Sequence, residues 1–128
     1  MSDLVDDPSS THYDEGRALL ESGDVRGAIA KFEASIAYSP HFKSLELLGE
    51  AFLRIGDPQR AIVPLAAATT LNSQVRAPSL LAEALLAVGE RLKAHEIAKL
   101  ALARDGTNKK AREVFEATVE EYSAWSSQ

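Results

Sequence analysis

Three histidines are the residues of this 128-residue chain whose chemistry best suits catalysis or metal binding. They are His12, His41 and His95, and they lie far apart in the sequence. His95-Glu96 begins like a zinc-protease motif, but position 99 is Lys, so the second histidine ligand is missing. The chain also has no cysteine and no glycine-rich phosphate loop. We therefore expect no enzyme activity, no metal and no cofactor, and a partly buried, hydrogen-bonded His95.

The composition is that of a globular domain, because 45% of the residues are hydrophobic and 26% are charged. A net charge of −5 argues against binding to a nucleic-acid backbone. No apolar run approaches the ~20 residues that span a bilayer. The acidic start, MSDLVDDPSS, lacks the basic and apolar regions of a secretory signal. We therefore expect a cytoplasmic protein that binds no nucleic acid and does not insert into a membrane.

An interval of 33 residues recurs along the chain. Gly23, Gly56 and Gly89 keep this interval, and an acidic residue follows each of them. Other sets keep it too: Ala28, Ala61 and Ala94; Leu19, Phe52 and Leu85; Leu20, Leu53 and Leu86. An internal repeat of this period predicts a solenoid.

Each repeat reads as two helices joined by a tight turn. Apolar residues recur at helical spacing, as at Leu45, Leu48, Phe52 and Ile55. Glycine in the left-handed region ends the first helix, and the acidic residue behind it caps the second. The predicted helices span 10–22, 25–38, 43–55, 58–71, 77–88 and 91–104, followed by a capping helix over 108–123.

These elements predict a single domain over 9–124, with repeats at 9–41, 42–74 and 75–107. Residues 1–8 are expected to form a flexible acidic arm, and residues 125–128 a flexible tail that contains Trp125.

The pattern resembles the tetratricopeptide repeat. The first unit carries the signature residues Gly16, Leu19, Gly23, Ala28, Phe32 and Pro40. The second keeps Leu45, Leu48, Gly49, Phe52, Gly56, Ala61 and Ala68. The third departs most, with Ala82 in place of the helix-packing glycine and Ala98 in place of a large apolar residue. The resemblance implies an all-α, right-handed superhelical solenoid of three hairpins with a seventh, capping helix.

The resemblance also implies a concave groove that binds a protein or peptide, lined by fixed positions of each repeat's first helix. The spacing of 13, 17 and 20 recurs at 46, 50, 53 and at 79, 83, 86, so these positions share one helix face in any case. The expected groove consists of Tyr13, Arg17, Leu20, Lys43, Glu46, Leu47, Glu50, Leu53, Arg54, Arg76, Ser79, Leu80, Glu83 and Leu86.

The groove residues predict the chemistry of the ligand. An apolar line of Leu20, Leu53 and Leu86 beside several glutamates favours an amphipathic partner that is neutral to basic. Family members that hold acidic chaperone tails use a five-residue cluster of Lys, Asn and Arg. At the matching positions, where this chain has Tyr13, Arg17, Leu47, Arg76 and Leu80, only Arg76 supplies a comparable cation, so we expect no binding of such tails. Two alternatives remain: a self-associating scaffold that forms a homodimer, and a small chaperone of the secretion type, whose three-repeat layout is similar.

Overall fold

The computed structural model describes residues 7–127, which contain seven α-helices and no strand. The helices are α1 (Pro8–Ser22), α2 (Val25–Tyr38), α3 (Phe42–Arg54), α4 (Pro58–Leu71), α5 (Arg76–Ala87), α6 (Arg91–Arg104) and α7 (Lys109–Ser126). Consecutive helices pair as the hairpins α1–α2, α3–α4 and α5–α6, which stack in chain order, and α7 packs against α5 and α6. The predicted all-α solenoid of three hairpins and a capping helix is confirmed.

The turn inside each hairpin depends on a glycine with a positive φ. The φ angles of Gly23, Gly56 and Gly89 are 93°, 76° and 87°, a region that L-residues rarely adopt. In the first hairpin, the side chain of Asp24 accepts a bond of 2.9 Å from the amide of Gly27 and so caps α2. Asp57 caps α4 in the same way, whereas Glu90 makes no side-chain cap bond to α6.

The two helices of a hairpin approach so closely that one of them has no room for a side chain. A Cβ placed on Gly16 would lie 2.6 Å from Cε1 of Phe32, and one on Gly49 would lie 2.3 Å from Cγ of Leu65. Both distances are shorter than a carbon–carbon contact allows. The large side chain of the second helix therefore packs directly on the backbone of the first.

The third hairpin reaches the same close packing with a different pair of residues. Ala82 stands at the position of Gly49, and Ala98 stands at the position of Leu65. Both alanines are fully buried. The methyl group gained at Ala82 is thus matched by the smaller side chain at Ala98, which conserves the packing between α5 and α6.

Serine hydroxyls join the first hairpin to the second. Ser35 on α2 donates a bond of 2.7 Å to the carbonyl of Ser9 on α1. Its Oγ also lies 3.2 Å from Oγ of Ser44 on α3. Since Ser35 and Ser44 are both buried, these bonds satisfy polar groups that water does not reach.

A guanidinium group joins the third hairpin to the second. Arg104, the last residue of α6, donates to the carbonyls of Thr69, Asn72 and Gln74 at 3.0, 2.9 and 2.9 Å. Thr69 belongs to the last turn of α4, whose final carbonyls have no partner within the helix. The cation therefore caps the end of α4 and holds the following loop against α6.

His95 attaches the capping helix to the third hairpin. Its side chain is 2% exposed and stacks between Phe115 and Tyr122, with ring centroids 4.6 and 4.2 Å away. Its Nδ1 lies 2.9 Å from Oγ1 of Thr118, whose own proton is donated to the carbonyl of Val114. Thr118 therefore accepts the bond from His95, and the role expected for this histidine from the sequence is confirmed. Burial lowers the pKa of His95 below its ordinary value.

The structure corrects the expected chain ends. The expected arm lies outside the described residues except for its last two, and of these Pro8 begins α1 while Asp7 caps it. At the other end, α7 continues to Ser126, so Trp125 is helical and not part of a flexible tail. Its ring contacts Tyr122 one turn earlier, at a centroid distance of 5.9 Å, yet Trp125 remains 59% exposed.

Replacing Gly49 with Ala tests the close approach inside a hairpin. We expect Gly49→Ala to lower the free energy of unfolding by about 1–3 kcal/mol, because the added methyl group overlaps Leu65. The same change at Gly106 is the control, since a Cβ there would meet only the carbonyl of Leu102 at 3.7 Å. Urea denaturation measures both. In a Leu65→Ala background, which recreates the pair Ala82–Ala98, the penalty of Gly49→Ala should shrink; simple additivity of the two changes would contradict this packing.

Lowering the pH should destabilise the protein through His95. Because its pKa is lowered in the folded state, the unfolded chain binds more protons, so this contribution to stability is complete above about pH 6.5 and decreases below it. One proton limits the slope to about 1.4 kcal/mol per pH unit. Thermal unfolding between pH 7.5 and 5.5 should show this slope in the native chain and in a His41→Gln control, but not in His95→Asn. An equal slope in all three would contradict the assignment.

Candidate functional site

An open cavity of about 740 Å³ lies between α3, α5 and the start of α7. We call it the α3–α5 cavity. Its lining residues are Glu50, Leu53, Arg54, Val75, Arg76, Ser79, Leu80, Glu83, Asn108 and Lys110. The cavity thus brings together every expected groove residue between Glu50 in the second repeat and Glu83 in the third.

Arg76 organises the charges of the α3–α5 cavity. Its Nη1 donates a bond of 2.6 Å to Oε2 of Glu46, and its Nη2 bonds to Oε1 of Glu50. Glu50 also accepts a bond of 2.6 Å from Arg54, one turn further along α3. Lys43 lies 3.9 Å from the same Glu46 oxygen. The guanidinium at the start of α5 is therefore tied to two carboxylates of α3, and it links two neighbouring hairpins.

These bonds shift the pKa values of both partners. Partial burial by itself would raise the pKa of Glu50, but the bonds from Arg76 and Arg54 outweigh burial and hold that pKa below its ordinary value. Burial would likewise lower the pKa of the Arg76 guanidinium, and its bonds to Glu50 and Glu46 outweigh this and raise the pKa. Glu50 and Arg76 are therefore both charged at neutral pH.

Glu83 and Lys110 close the other side of the α3–α5 cavity. Lys110 Nζ lies 2.6 Å from Oε1 of Glu83, and the two side chains are 43% and 40% exposed. An exposed ion pair of this kind contributes only about 0–1 kcal/mol. A charged ligand group can therefore replace either partner at small cost.

The structure does not bring all the expected groove residues into one site. Tyr13 and Lys43 line a separate depression of about 270 Å³ beside the first hairpin. Arg17, Leu47 and Leu86 line neither of these two cavities. Leu20 and Glu46, which are 8% and 2% exposed, line neither cavity either. Leu20 packs in the core, and Glu46 is covered where Arg76 bonds to it.

Three lining residues were missed in the sequence analysis: Val75, Asn108 and Lys110. Asn108 caps α7 by accepting from the amide of Ala111, and Lys110 follows two residues later. The 33-residue interval applied to α7 would have led to Lys109, which stands at the position of Lys43 and Arg76. The repeat interval therefore identifies the N-terminal end of the capping helix, but it selects Lys109 and not Lys110, the lysine that lines the cavity.

The described residues contain no group of three side chains suited to hold a metal ion. None of the helices found in residues 7–127 is long and apolar enough to cross a membrane. The α3–α5 cavity itself presents apolar side chains and charged groups.

The family model described as tetratricopeptide repeat matches residues 13–75. The chain belongs to the tetratricopeptide repeat family. The match ends where α5 begins, and the stretch beyond it contains the divergent repeat with Ala82 and Ala98. The fold of this family is an interaction scaffold, and in this tetratricopeptide-repeat protein it continues to the capping helix. No curated protein sequence matches the chain.

Solved structures similar to this tetratricopeptide-repeat protein share its fold at low sequence identity. The first tetratricopeptide domain of Spaghetti (RPAP3), bound to the HSP90 peptide SRMEEVD, is 18% identical, with a TM-score of 0.83, covering 95% of this chain and 99% of that one. The Sgt2 domain from Aspergillus fumigatus is 18% identical, with a TM-score of 0.78 and coverages of 94% and 82%. The Yersinia enterocolitica type III secretion chaperone SycD, in complex with a peptide of the translocator YopD, is 20% identical, with a TM-score of 0.74 and coverages of 96% and 95%.

Removing Arg76 should destabilise the protein more than removing its neighbour Arg54. In Arg76→Gln the carboxylate of Glu46, 2% exposed, keeps only Lys43 nearby, so we expect a loss of about 1–3 kcal/mol in urea denaturation. Arg54→Gln breaks an exposed pair on one helix and should cost less than ~1 kcal/mol. Adding Glu46→Gln to Arg76→Gln removes the unpaired charge and should recover part of the loss. Equal effects of the two arginine changes would contradict this role of Arg76.

Proposed function

We propose that this protein is a non-catalytic interaction module whose α3–α5 cavity binds an amphipathic peptide or helix that is neutral to basic. The observation that carries the proposal is the arrangement of the cavity itself. Leu53, Val75 and Leu80 contribute apolar surface, and charged side chains surround it. A segment with apolar anchors and a few charges on its other face complements such a surface.

The sign of the preferred ligand charge follows from how the cavity charges are paired. Arg76 and Arg54 are bound to glutamates of α3, so an acidic ligand must compete with Glu50 for both guanidinium groups. The repeat position of Glu50 and Glu83 continues with Glu116, an exposed residue of α7. Glu50 and Glu83 are already paired with cations of the chain, so the attraction for a basic ligand comes from Glu116 and from the net charge of −5.

The family and its relatives support the general part of the proposal. The Spaghetti domain is bound to an HSP90 peptide, and the secretion chaperone SycD is bound to a translocator peptide. At sequence identities of 18% and 20%, these two structures do not indicate which partner this chain binds. A cytoplasmic location and a chaperone role remain predictions from the sequence.

Peptide titration followed by calorimetry tests the proposal. A fifteen-residue helical peptide with leucines on one face and lysines on the other should bind with a Kd on the order of 10–100 μM, about −5.5 to −7 kcal/mol. Added salt should weaken this binding. Leu53→Lys should abolish it, because the lysine places a charge on the apolar surface of the cavity.

The matched control is Leu71→Lys, which changes an exposed leucine of α4 that does not line the α3–α5 cavity. This variant should bind the basic peptide as the native chain does. The acidic peptide SRMEEVD serves as the competitor ligand. Saturable binding of SRMEEVD below ~10 μM, or binding of the basic peptide that Leu53→Lys leaves unchanged, would overturn the proposal.

A further inference from the structure

A second cavity, of about 460 Å³, is lined by apolar side chains of four helices. We call it the α6 groove, because α6 contributes Leu92, Lys93, Glu96 and Ile97 to it. Its other lining residues are Ile62 and Ala66 of α4, Leu81 and Leu85 of α5, and Tyr122 and Trp125 of α7. It shares no residue with the α3–α5 cavity, so the peptide site proposed above does not account for it.

The α6 groove leaves large apolar side chains open to water. Trp125 is 59% exposed and Leu92 is 37% exposed. Tryptophan buries more apolar surface at an interface than any other side chain, and it is enriched at interface centres. A contiguous apolar patch with charged residues at its margin is typical of a protein-binding surface.

The charged residues at the margin of the α6 groove are complementary to the same residues of a second copy related by a two-fold axis. Lys93 and Glu96 lie one turn apart on the exposed side of α6. If two copies of α6 meet antiparallel about a two-fold axis between residues 94 and 95, Lys93 faces the partner's Glu96, and Glu96 faces the partner's Lys93. The same register places Leu92 opposite the partner's Ile97. A two-fold interface requires such self-complementarity, and one surface then satisfies both copies.

Lys93 and Glu96 make no strong ion pair within residues 7–127, so both can pair with a second copy of the chain. Lys93 lies 4.0 Å from Glu90, a weak exposed contact. No lysine or arginine of residues 7–127 lies within 4.0 Å of the Glu96 carboxylate, whose nearest basic neighbours on α6 are Lys93 and Lys99. An axis at residue 96 is unfavourable, because it would place Lys93 against Lys99 and Glu96 against itself. An axis between residues 97 and 98 would pair Glu96 with the partner's Lys99, but it would place Leu92 opposite Ala103 and so lose the contact between Leu92 and Ile97.

We propose that the α6 groove is the interface of a homodimer, in which α6 of one copy lies antiparallel to α6 of another. Trp125 and Leu92 supply the apolar contact, and Lys93 and Glu96 fix the register. The contact rests on one helix and one tryptophan, whereas a stable interface buries ~800 Å² per partner, so we expect the dimer to form at micromolar concentration. Both α3–α5 cavities remain open in this arrangement, since their lining residues lie elsewhere.

Sedimentation equilibrium of the native chain across ~1–500 μM should show the average mass rise from monomer to dimer, with a Kd on the order of 10–100 μM. Lys93→Glu and Glu96→Lys should each weaken dimerisation at least about tenfold, because each places like charges opposite one another. Both residues are exposed, so the variants should keep the native helical spectrum. Lys109→Glu, an exposed lysine on α7 away from the groove, is the matched control and should leave the Kd unchanged.

Mixing the two variants gives the decisive measurement. A Lys93→Glu chain and a Glu96→Lys chain have opposite charges at both contacts, so an equimolar mixture should form heterodimers with about the native Kd, although each variant alone dimerises at least about tenfold more weakly. The double variant Lys93→Glu/Glu96→Lys should also dimerise, to within about threefold of the native Kd. A native chain that stays monomeric at ~500 μM, or a mixture that fails to associate, would overturn the inference. Peptide binding at the α3–α5 cavity, measured in parallel, should not change in any of these variants.

Discussion

A close contact between the two helices, at one pair of facing residues, determines the geometry of each hairpin. Phe32 packs on Gly16 and Leu65 packs on Gly49 at distances that leave no space for a methyl group. This close approach allows a turn of few residues, whose positive-φ glycine reverses the chain. Because the hairpins share one spacing, they stack with their first helices on the same side. The α3–α5 cavity exists only because α3 and α5 are held in that order.

The third hairpin shows that the constraint acts on both residues of the contact and not on one of them alone. Ala82 and Ala98 each differ from the family pattern, and each alone would disturb the packing. Together they keep the two helices in contact through small side chains on both sides, and both are fully buried. This explains why a repeat outside the matched range of 13–75 keeps the helices α5 and α6 of the same fold. Sequence divergence at paired contacts is therefore a poor guide to loss of structure.

The sequence predicted the fold more fully than the site. All predicted helix boundaries agree with the structure within about three residues, and those inside the hairpins agree within one, because a Gly-acid turn marks both the end of one helix and the start of the next. Trp125 was assigned to a tail because no repeat signal extends that far, but the contact with Tyr122 continues α7.

The repeat positions predicted which residues share a helix face, but not how far each of them is buried. Glu46 looked like a ligand contact, and its burial follows from a bond to Arg76, which is 30 residues away in sequence and on another helix. Such contacts between stacked units are invisible to a pattern that repeats within one unit.

The links between hairpins differ in chemical type, and this difference affects how the solenoid opens. Neutral hydroxyls of Ser35 and Ser44 join the first hairpin to the second, whereas the guanidinium groups of Arg76 and Arg104 join the second to the third. Charge-assisted bonds are roughly twice as strong as neutral ones. In an array that contacts only nearest neighbours, the weaker junction separates first. Amide protons of α1 and α2 should therefore exchange with solvent through a local opening that leaves α3 to α7 folded, so that the cavity outlasts the fraying of the N-terminal hairpin.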